Sequence, residues 1–244
     1  MPNCNISNGG KSITSWFSLF VNSGVTPEFY EIITHHKTNV VPNNYELSNE
    51  QRQKVIASAY GDGSLKLGSK ASRRPRIVWN MGNKDHALYK KDHFKFVGAT
   101  YKEGVNPGFG VEWHTVVTKS HYCLLDVYER VNVGGVKVLD VGLIRELGDI
   151  GWAWWYGDDG HLDKRRGLAF LHTESFGARD VADITKCIND YLGFDGSRVC
   201  SYVGGAKKRR MYCVRFTKEG TEEFIKRVRP YMANGVQYKT VLSD

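Results

Sequence analysis

An internal repeat of about a hundred residues is the strongest constraint on how this 244-residue chain folds. Two apolar nonapeptides, VIASAYGDG at residues 55–63 and WAWWYGDDG at residues 152–160, each end in an acidic residue followed by glycine. The segments 117–119 (VTK) and 216–218 (FTK) repeat a strand-to-helix junction at nearly the same offset. Because separate signals recur at one offset, the sequence predicts two similar halves related by a pseudo-twofold axis.

Each half is predicted to contain a similar succession of helices and strands. Ser48 followed by Gln51 is typical of an N-terminal capping box, and it starts the first acidic helix, over residues 50–62. Extended segments over 64–67 and 76–79 follow, then a helix over 85–96, a strand over 112–118 and a helix over 120–130. In the second half the acidic helix covers 150–159, extended segments recur over 167–173, and a helix over 179–191, strands over 198–203 and 211–217 and a helix over 220–231 complete the unit. We therefore expect an α+β fold with halves at 46–146 and 147–244, preceded by an N-terminal extension over 1–45.

Composition indicates which class of protein this is and what kind of partner it binds. The net charge of +8 indicates a polyanionic partner, since a basic surface that neutralises phosphates releases counterions, although a basic protein without such a partner is the alternative. The five cysteines form no CxxC pair, which disfavours a disulfide framework and structural zinc and favours a reducing, intracellular compartment. No stretch approaches the ~18 apolar residues of a membrane span. The first residues show no basic segment leading into an apolar run, so no secretion signal is expected.

The acidic residues at the ends of the two repeated helices are the candidate metal ligands. A carboxylate at a helix C-terminus opposes the helix dipole, and a bound cation removes that penalty because carboxylate and terminal carbonyl both become ligands. The pairs Ala57 with Gly61 and Ala153 with Gly157 would let two such helices approach closely. Two carboxylates brought together in this way suit metal-assisted phosphodiester cleavage. The alternative is a core helix that ends in a solvated Asp. The repeat alone leaves open whether Asp158 or Asp159 corresponds to Asp62, because the two ways of aligning the nonapeptides differ by one residue.

The nonapeptides resemble the paired motifs of the single-chain LAGLIDADG homing endonucleases, especially the branch whose second motif reads Asp-Asp-Gly. The resemblance covers residues 48–240 and extends to residues 171–176 (LHTESF), similar to a family Leu-x-Thr-Gln-Ser-Phe stretch with Glu in place of Gln. Residues 229–231 (RPY), followed by Tyr238 and Lys239, are similar to the last helix of the family and its lysine-bearing turn.

This resemblance implies a specific architecture and chemistry. It implies two pseudo-symmetric αββαββα halves that form a saddle of antiparallel strands over duplex DNA, with the motif helices at the interface. It implies Asp62 and Asp159 as catalytic metal ligands, in the second motif by preference over Asp158, with help from the carbonyls of Gly61 and Asp158. Lys137 and Lys239 would be the catalytic lysines, where a positive charge stabilises the transition state. The implied cofactor is Mg²⁺, with Mn²⁺ as a substitute, and the product is a double-strand break with short 3′ overhangs.

Basic residues at related places in the two halves are the candidate DNA contacts. On a two-stranded ribbon in the major groove, alternate side chains face the bases and phosphates. The predicted contacts are Lys66, Lys70, Arg73, Arg74 and Arg76 in the first half and Lys164, Arg165, Arg166, Lys207, Lys208, Arg209 and Arg210 in the second. His161 is interpreted as a surface residue. Glu174 either adds a metal ligand or perturbs a position that the resembled family leaves neutral.

Two function classes fit these observations. The first is a monomeric, site-specific DNA endonuclease, and the second is a non-cleaving binder on the same fold, either a splicing cofactor for intron RNA or a DNA-binding regulator. The acids at both helix ends favour the nuclease, because a pure binder gains nothing from carboxylates that face a phosphate backbone.

Overall fold

The computed structural model describes residues 42, 44–69, 72–106, 108, 110–204 and 208–242. The described residues belong to one structural unit. Of the predicted N-terminal extension only residues 42, 44 and 45 are among those described, so that prediction lies outside the described residues. Lys70 and Lys207, two of the predicted DNA contacts, also lie outside them.

The first half follows the order αββαββα. Its elements are α1 (Asn49–Tyr60), β1 (Ser64–Ser69), β2 (Ser72–Met81), α2 (Lys84–His93), β3 (Thr100–Val105), β4 (Glu112–Val117) and α3 (Leu125–Val131). The predicted capping box starts α1: Ser48 Oγ accepts the amide of Gln51, whose side chain accepts the amide of Ser48.

A short connection joins the halves, and the second half repeats the same order. The connection contains β5 (Asn132–Val133), β6 (Val136–Lys137) and α4 (Val141–Arg145). The second half consists of α5 (Asp149–Asp159), β7 (Gly160–Asp163), β8 (Leu168–His172), α6 (Ala178–Leu192), β9 (Ser197–Gly204), β10 (Arg209–Phe216) and α7 (Lys218–Val228). Short 3-10 turns follow at Arg229–Tyr231 and Asn234–Thr240. The predicted α+β fold with two pseudo-symmetric halves is thereby confirmed.

Each half contains a four-stranded antiparallel sheet with the same topology. The strand orders are β1-β2-β4-β3 and β7-β8-β10-β9, so equivalent strands occupy equivalent places. The sequence analysis missed the edge strand β3, because its sequence TYKEGV lacks a buried apolar alternation. It also missed β7, a four-residue strand that begins directly after the acidic helix.

The two faces of each sheet differ in their exposure to solvent. One face packs against the helices, and its residues Ile77, Trp79, Val116 and Val214 are fully buried. Period-two alternation directs the neighbouring side chains to the opposite, open face. None of the helices in the described part of the chain is long and apolar enough to cross a membrane.

Candidate active site

The two acidic helices, α1 and α5, pack against each other, and polar contacts fix their register. Trp154 Nε1 of α5 donates to Ser58 Oγ of α1 at 2.7 Å in a buried setting. At the other end, Gln53 Oε1 accepts the backbone amides of Gly148 at 2.9 Å and Gly151 at 3.1 Å. These contacts fix the axial register of the two helices, so their C-terminal ends lie next to each other.

Close approach at the C-terminal end requires a glycine in the first motif. A Cβ atom added to Gly61 would lie 2.6 Å from Asp158 Oδ2, well inside van der Waals contact. Gly157 does not have this role, since a Cβ there would meet Val236 at an ordinary 3.6 Å. Of the two glycines predicted to allow the approach, Gly61 is therefore the one that lies against the opposite motif.

In the first half, a lysine contacts the end of α1 beside the acid. Asp62 follows Gly61 with its side chain exposed. Lys137, on β6, donates from Nζ to the carbonyl of Tyr60 at 3.1 Å. The hydroxyl of Tyr60 in turn accepts the amide of Asp140 at 2.9 Å, which holds the connection bearing Lys137 against the helix.

The second half repeats this arrangement with a lysine from the C-terminal 3-10 turn. Lys239 Nζ donates to the carbonyls of Gly157 at 2.8 Å and Asp158 at 3.0 Å. The hydroxyl of Tyr156 donates to the carbonyl of Lys239 at 3.1 Å and fixes the turn. Burial lowers the pKa of the Lys239 ammonium, and the nearby carboxylates of Asp158 and Asp159 act in the opposite direction.

Asp159 is the more enclosed of the two predicted catalytic acids. Its Oδ2 accepts from Trp155 Nε1 at 3.0 Å. Burial, together with the charges of Asp158 and Asp62, raises the pKa of Asp159 to about 7, and Trp155 and Lys137 only partly offset this. A divalent cation would relieve the same repulsion, so the donor set fits a hard metal ion. Among the residues that the structure describes, no three His, Cys, Asp or Glu side chains are arranged to hold a metal. The remaining ligands would therefore be backbone carbonyls, water and DNA phosphate oxygens.

Asp158 differs from both of these acids, because its carboxylate points into the protein. The side chain is completely buried and pairs with Lys90 Nζ, at 2.7 Å from Oδ1 and 3.0 Å from Oδ2. The sequence analysis considered Asp158 as a ligand through its carbonyl, and that carbonyl accepts from Lys239. Lys90 itself was missed: it stands in the hydrophilic run 90–93 (KKDH), which carries no signal that one of its lysines is buried.

His161 and Glu174 lie near the second site, and their side chains have different surroundings. The exposed His161 lines a cleft of about 420 Å³ together with Asp159 and Lys239. Glu174 Oε1 accepts from the hydroxyl of Tyr202 at 2.7 Å and lies 2.7 Å from His172 Nδ1. The Glu174 carboxylate is thus engaged with neighbouring strands rather than pointing freely at the acids.

Strand register assigns some of the predicted DNA contacts of the first sheet to its open face. Lys66 and Arg76 are paired across β1 and β2 and share the open face of the first sheet. Arg73 is exposed and lies where the pairing of β1 with β2 is irregular, so the alternation does not assign its face. Arg74 lies in the same irregular stretch, and its guanidinium is over the Tyr122 ring, 4.6 Å from the centroid. The sequence-based list of contacts did not make this distinction.

In the second sheet β9 and β10 pair without interruption, so the alternation assigns the faces of Arg209 and Arg210. Arg210 is an even number of residues from the buried Val214 and therefore shares its face, whereas Arg209 is on the opposite, open face. Lys164, Arg165 and Arg166 lie exposed in the turn between β7 and β8, and Lys208 lies in the turn before β10.

The open faces also hold polar residues that the sequence analysis did not select. In the first sheet these are Asn80, Lys102 and Thr115, and in the second Arg198 and Arg215, which are paired across β9 and β10. In the described part of the chain, Nε of Arg76 and Nε of Arg215 are buried without a hydrogen-bond partner. Period-two alternation could have found these residues, but only once the register of each strand was known.

Comparisons with known proteins identify the family and the fold of the chain. The family model described as the LAGLIDADG DNA endonuclease family matches residues 53–224, more than half of the chain. A probable intron-encoded DNA endonuclease of Mycosarcoma maydis is 24% identical over 123 residues, which cover 50% of this chain and 85% of that protein. The structure of the homing endonuclease I-WcaI bound to its DNA recognition sequence has the same fold, with a TM-score of 0.70 and 18% identity, over 92% of this chain and 98% of that one. The chain belongs to the LAGLIDADG DNA endonuclease family.

Proposed function

We propose that this protein is a monomeric homing endonuclease that cuts both strands of a specific DNA site with a divalent metal ion, Mg²⁺ or in its place Mn²⁺. One observation carries the proposal: both halves place a lysine ammonium on the carbonyl that lies two residues before the predicted catalytic acid. In the first half Lys137 contacts the carbonyl of Tyr60, and in the second Lys239 contacts that of Gly157. This equivalence supports pairing Asp62 with Asp159, and two equivalent sites suit the cutting of two strands.

The chain's own residues would act on the DNA as follows. Asp62 and Asp159 would hold the metal together with the carbonyls of Gly61 and Asp158. When bound, the metal supplies a Lewis acid that activates water and neutralises charge on the leaving oxygen. Lys137 and Lys239 are held by backbone carbonyls, so their ammonium groups are pre-positioned to stabilise negative charge that develops on the phosphate. The expected products are ends with short 3′ overhangs.

The open faces of the two sheets support the choice of duplex DNA as the substrate. Lys66 and Arg76 in the first sheet and Arg198, Arg209 and Arg215 in the second share the open parity. The buried Nε of Arg76 and of Arg215, which lack partners among the described residues, would gain hydrogen bonds from phosphate or base acceptors. The net charge of +8 adds sequence-independent attraction to the backbone.

The test is a pooled duplex library bound in Ca²⁺ and then switched to Mg²⁺, with the cut ends sequenced. Ca²⁺ fits a carboxylate site but holds its ligands loosely, so it should support binding with little cutting. We expect discrete double-strand breaks from the native protein and none from Asp62→Asn or Asp159→Asn, because each variant loses one of the two cuts, and both variants should still form the specific complex. Asp190→Asn, which removes the same charge from an exposed position of α6, is the matched control and should cut like the native protein.

A specific duplex complex that is never cut in any metal would refute the proposal. Preferential binding to structured intron RNA would do the same and would favour the splicing cofactor.

A further inference from the structure

The buried carboxylate of Asp158 links three segments that the catalytic geometry requires to be in register. Asp158 stands near the end of α5, in the second half. Its partner Lys90 comes from α2 of the first half, and both side chains are fully excluded from solvent. Lys90 Nζ also lies 4.3 Å from the Trp154 ring centroid and 5.6 Å from that of Trp79, so aromatic faces help to hold the cation.

The third segment is the backbone that carries Asp62. Asp158 Oδ2 accepts the backbone amide of Asp62 at 3.2 Å. Gly61 makes the contact possible, because any side chain there would collide with the same oxygen. His86 Nε2 lies 3.5 Å from Oδ1, farther than Lys90 Nζ at 2.7 Å, so Lys90 is the closer partner and the counter-ion.

The two catalytic acids differ in what fixes their backbone. Asp159 is the last residue of α5, so the helix itself fixes its backbone. Asp62 lies beyond the end of α1, which finishes at Tyr60, and therefore needs an anchor from outside the helix. The second half has no matching ion pair among the described residues: Gly61 occupies the place equivalent to Asp158, and the buried residues of α6 carry no charge.

We infer that Asp158 is a positioning residue that anchors the Asp62 backbone across the two halves, with Lys90 as its buried counter-ion. This inference rests on the proposed function. A catalytic acid has to be held within roughly 0.5 Å of its productive position. Loss of the acceptor therefore slows the cut that depends on Asp62 more than the cut that depends on Asp159.

The test compares two double variants that both remove the buried charges. Replacing Asp158 alone by leucine would leave Lys90 buried without a partner, which destabilises proteins strongly. In Lys90→Met/Asp158→Leu both charges and the acceptor are lost. In Lys90→Met/Asp158→Asn the charges are lost, but the amide oxygen still accepts from the Asp62 amide. Comparing the two double variants separates the effect of the hydrogen bond from the effect of the ion pair.

The first measurement is the cleavage rate of each strand separately, on the duplex recovered from the library and labelled on both strands. The Asp62-dependent strand is identified as the one whose cutting is the more sensitive to Asp62→Asn. We expect the leucine variant to slow that strand at least tenfold relative to the other strand. The asparagine variant should restore the strand ratio to within about threefold of native, because it keeps the acceptor.

The second measurement needs neither DNA nor metal: amide hydrogen exchange at Asp62 in the free protein. The amide should be protected in the native protein and in the asparagine variant, and should exchange at least tenfold faster in the leucine variant. Gly61→Ala gives a second route to the same loss, since its Cβ displaces Asp158 Oδ2 without changing any charge. It should show the same strand bias and the same faster exchange, so the test stands even if the leucine variant does not fold.

Equal strand ratios and equal Asp62 exchange in the two double variants would overturn the inference. A native protein that cuts no duplex would overturn the proposed function instead, and hydrogen exchange would then still decide whether Asp158 anchors Asp62. The two failures are therefore distinguishable.

Discussion

Replacing Asp159 by asparagine should stabilise the metal-free protein while removing its proposed activity. In the folded state burial and the neighbouring acids raise the pKa of Asp159 from 3.8 to about 7. Between these two values the folded protein keeps a proton that the unfolded chain releases. Stability therefore falls as the pH rises through this window, and the loss is complete above pH 7. Asparagine does not titrate, and its side-chain oxygen still accepts from Trp155 Nε1.

The magnitude follows from the size of the pKa shift. A shift of about three units corresponds to at most ~4 kcal/mol, and water entering the site reduces it, so we expect about 2 kcal/mol at pH 8. For a chain of this length that is an increase of roughly 4–8 °C in Tm.

The assay is thermal and urea unfolding in EDTA at pH 4, 5, 6, 7 and 8. The stability of Asp159→Asn relative to native should be near its minimum at pH 4 and should grow until about pH 7. Asp190→Asn, at an exposed position, is the charge-matched control and should unfold like the native protein. If the Asp159→Asn and native curves run parallel from pH 4 to 8, the reasoning about a buried, mutually repelling acid is refuted.

Three further predictions concern the interface and the lysines. Ala57→Leu overpacks a fully buried position in the helix that packs on α5, so urea unfolding should show a loss of roughly 1–3 kcal/mol, and unchanged stability would contradict the interface. Ser58→Ala removes the acceptor of the buried Trp154 indole N–H, which should lower the free energy of unfolding by ~1–3 kcal/mol. Ser175→Ala, at an exposed position, is the control and should unfold like the native protein. Lys137→Met and Lys239→Met should each slow single-turnover cleavage at least a hundredfold and leave Kd in Ca²⁺ within a small factor, because they remove transition-state stabilisation; an equal loss of affinity would identify both as phosphate anchors.

The repeat was readable in the sequence because it is a local pattern. Helix caps, apolar periodicity and the acidic helix ends depend on residues that are near one another in the chain, and Ser48 with Gln51 begins α1 as predicted. Strand β3 escaped prediction because an edge strand need not bury either face, so it carries no apolar alternation.

The distinction between Asp158 and Asp159 shows what local sequence patterns cannot predict. As neighbours in an Asp-Asp-Gly motif they look interchangeable, and the repeat alone could not choose between them. In the fold they have opposite environments: Asp158 turns inward to Lys90, and Asp159 turns towards the cleft that contains Lys239. The inward carboxylate of Asp158 is paired with a lysine 68 positions away in the chain, which no local pattern encodes.

By itself the sequence determined the duplicated α+β halves, the two acidic helix ends and the family to which the chain belongs, because each is specified by spacing within a short segment. Only the tertiary structure decided which arginines share the open faces, which acid is buried, and that a carboxylate of one half holds the backbone of the other. These features depend on strand register and on packing between distant segments. Strand register and packing depend on many long-range contacts at once, so they cannot be predicted from the residues that are adjacent in the sequence.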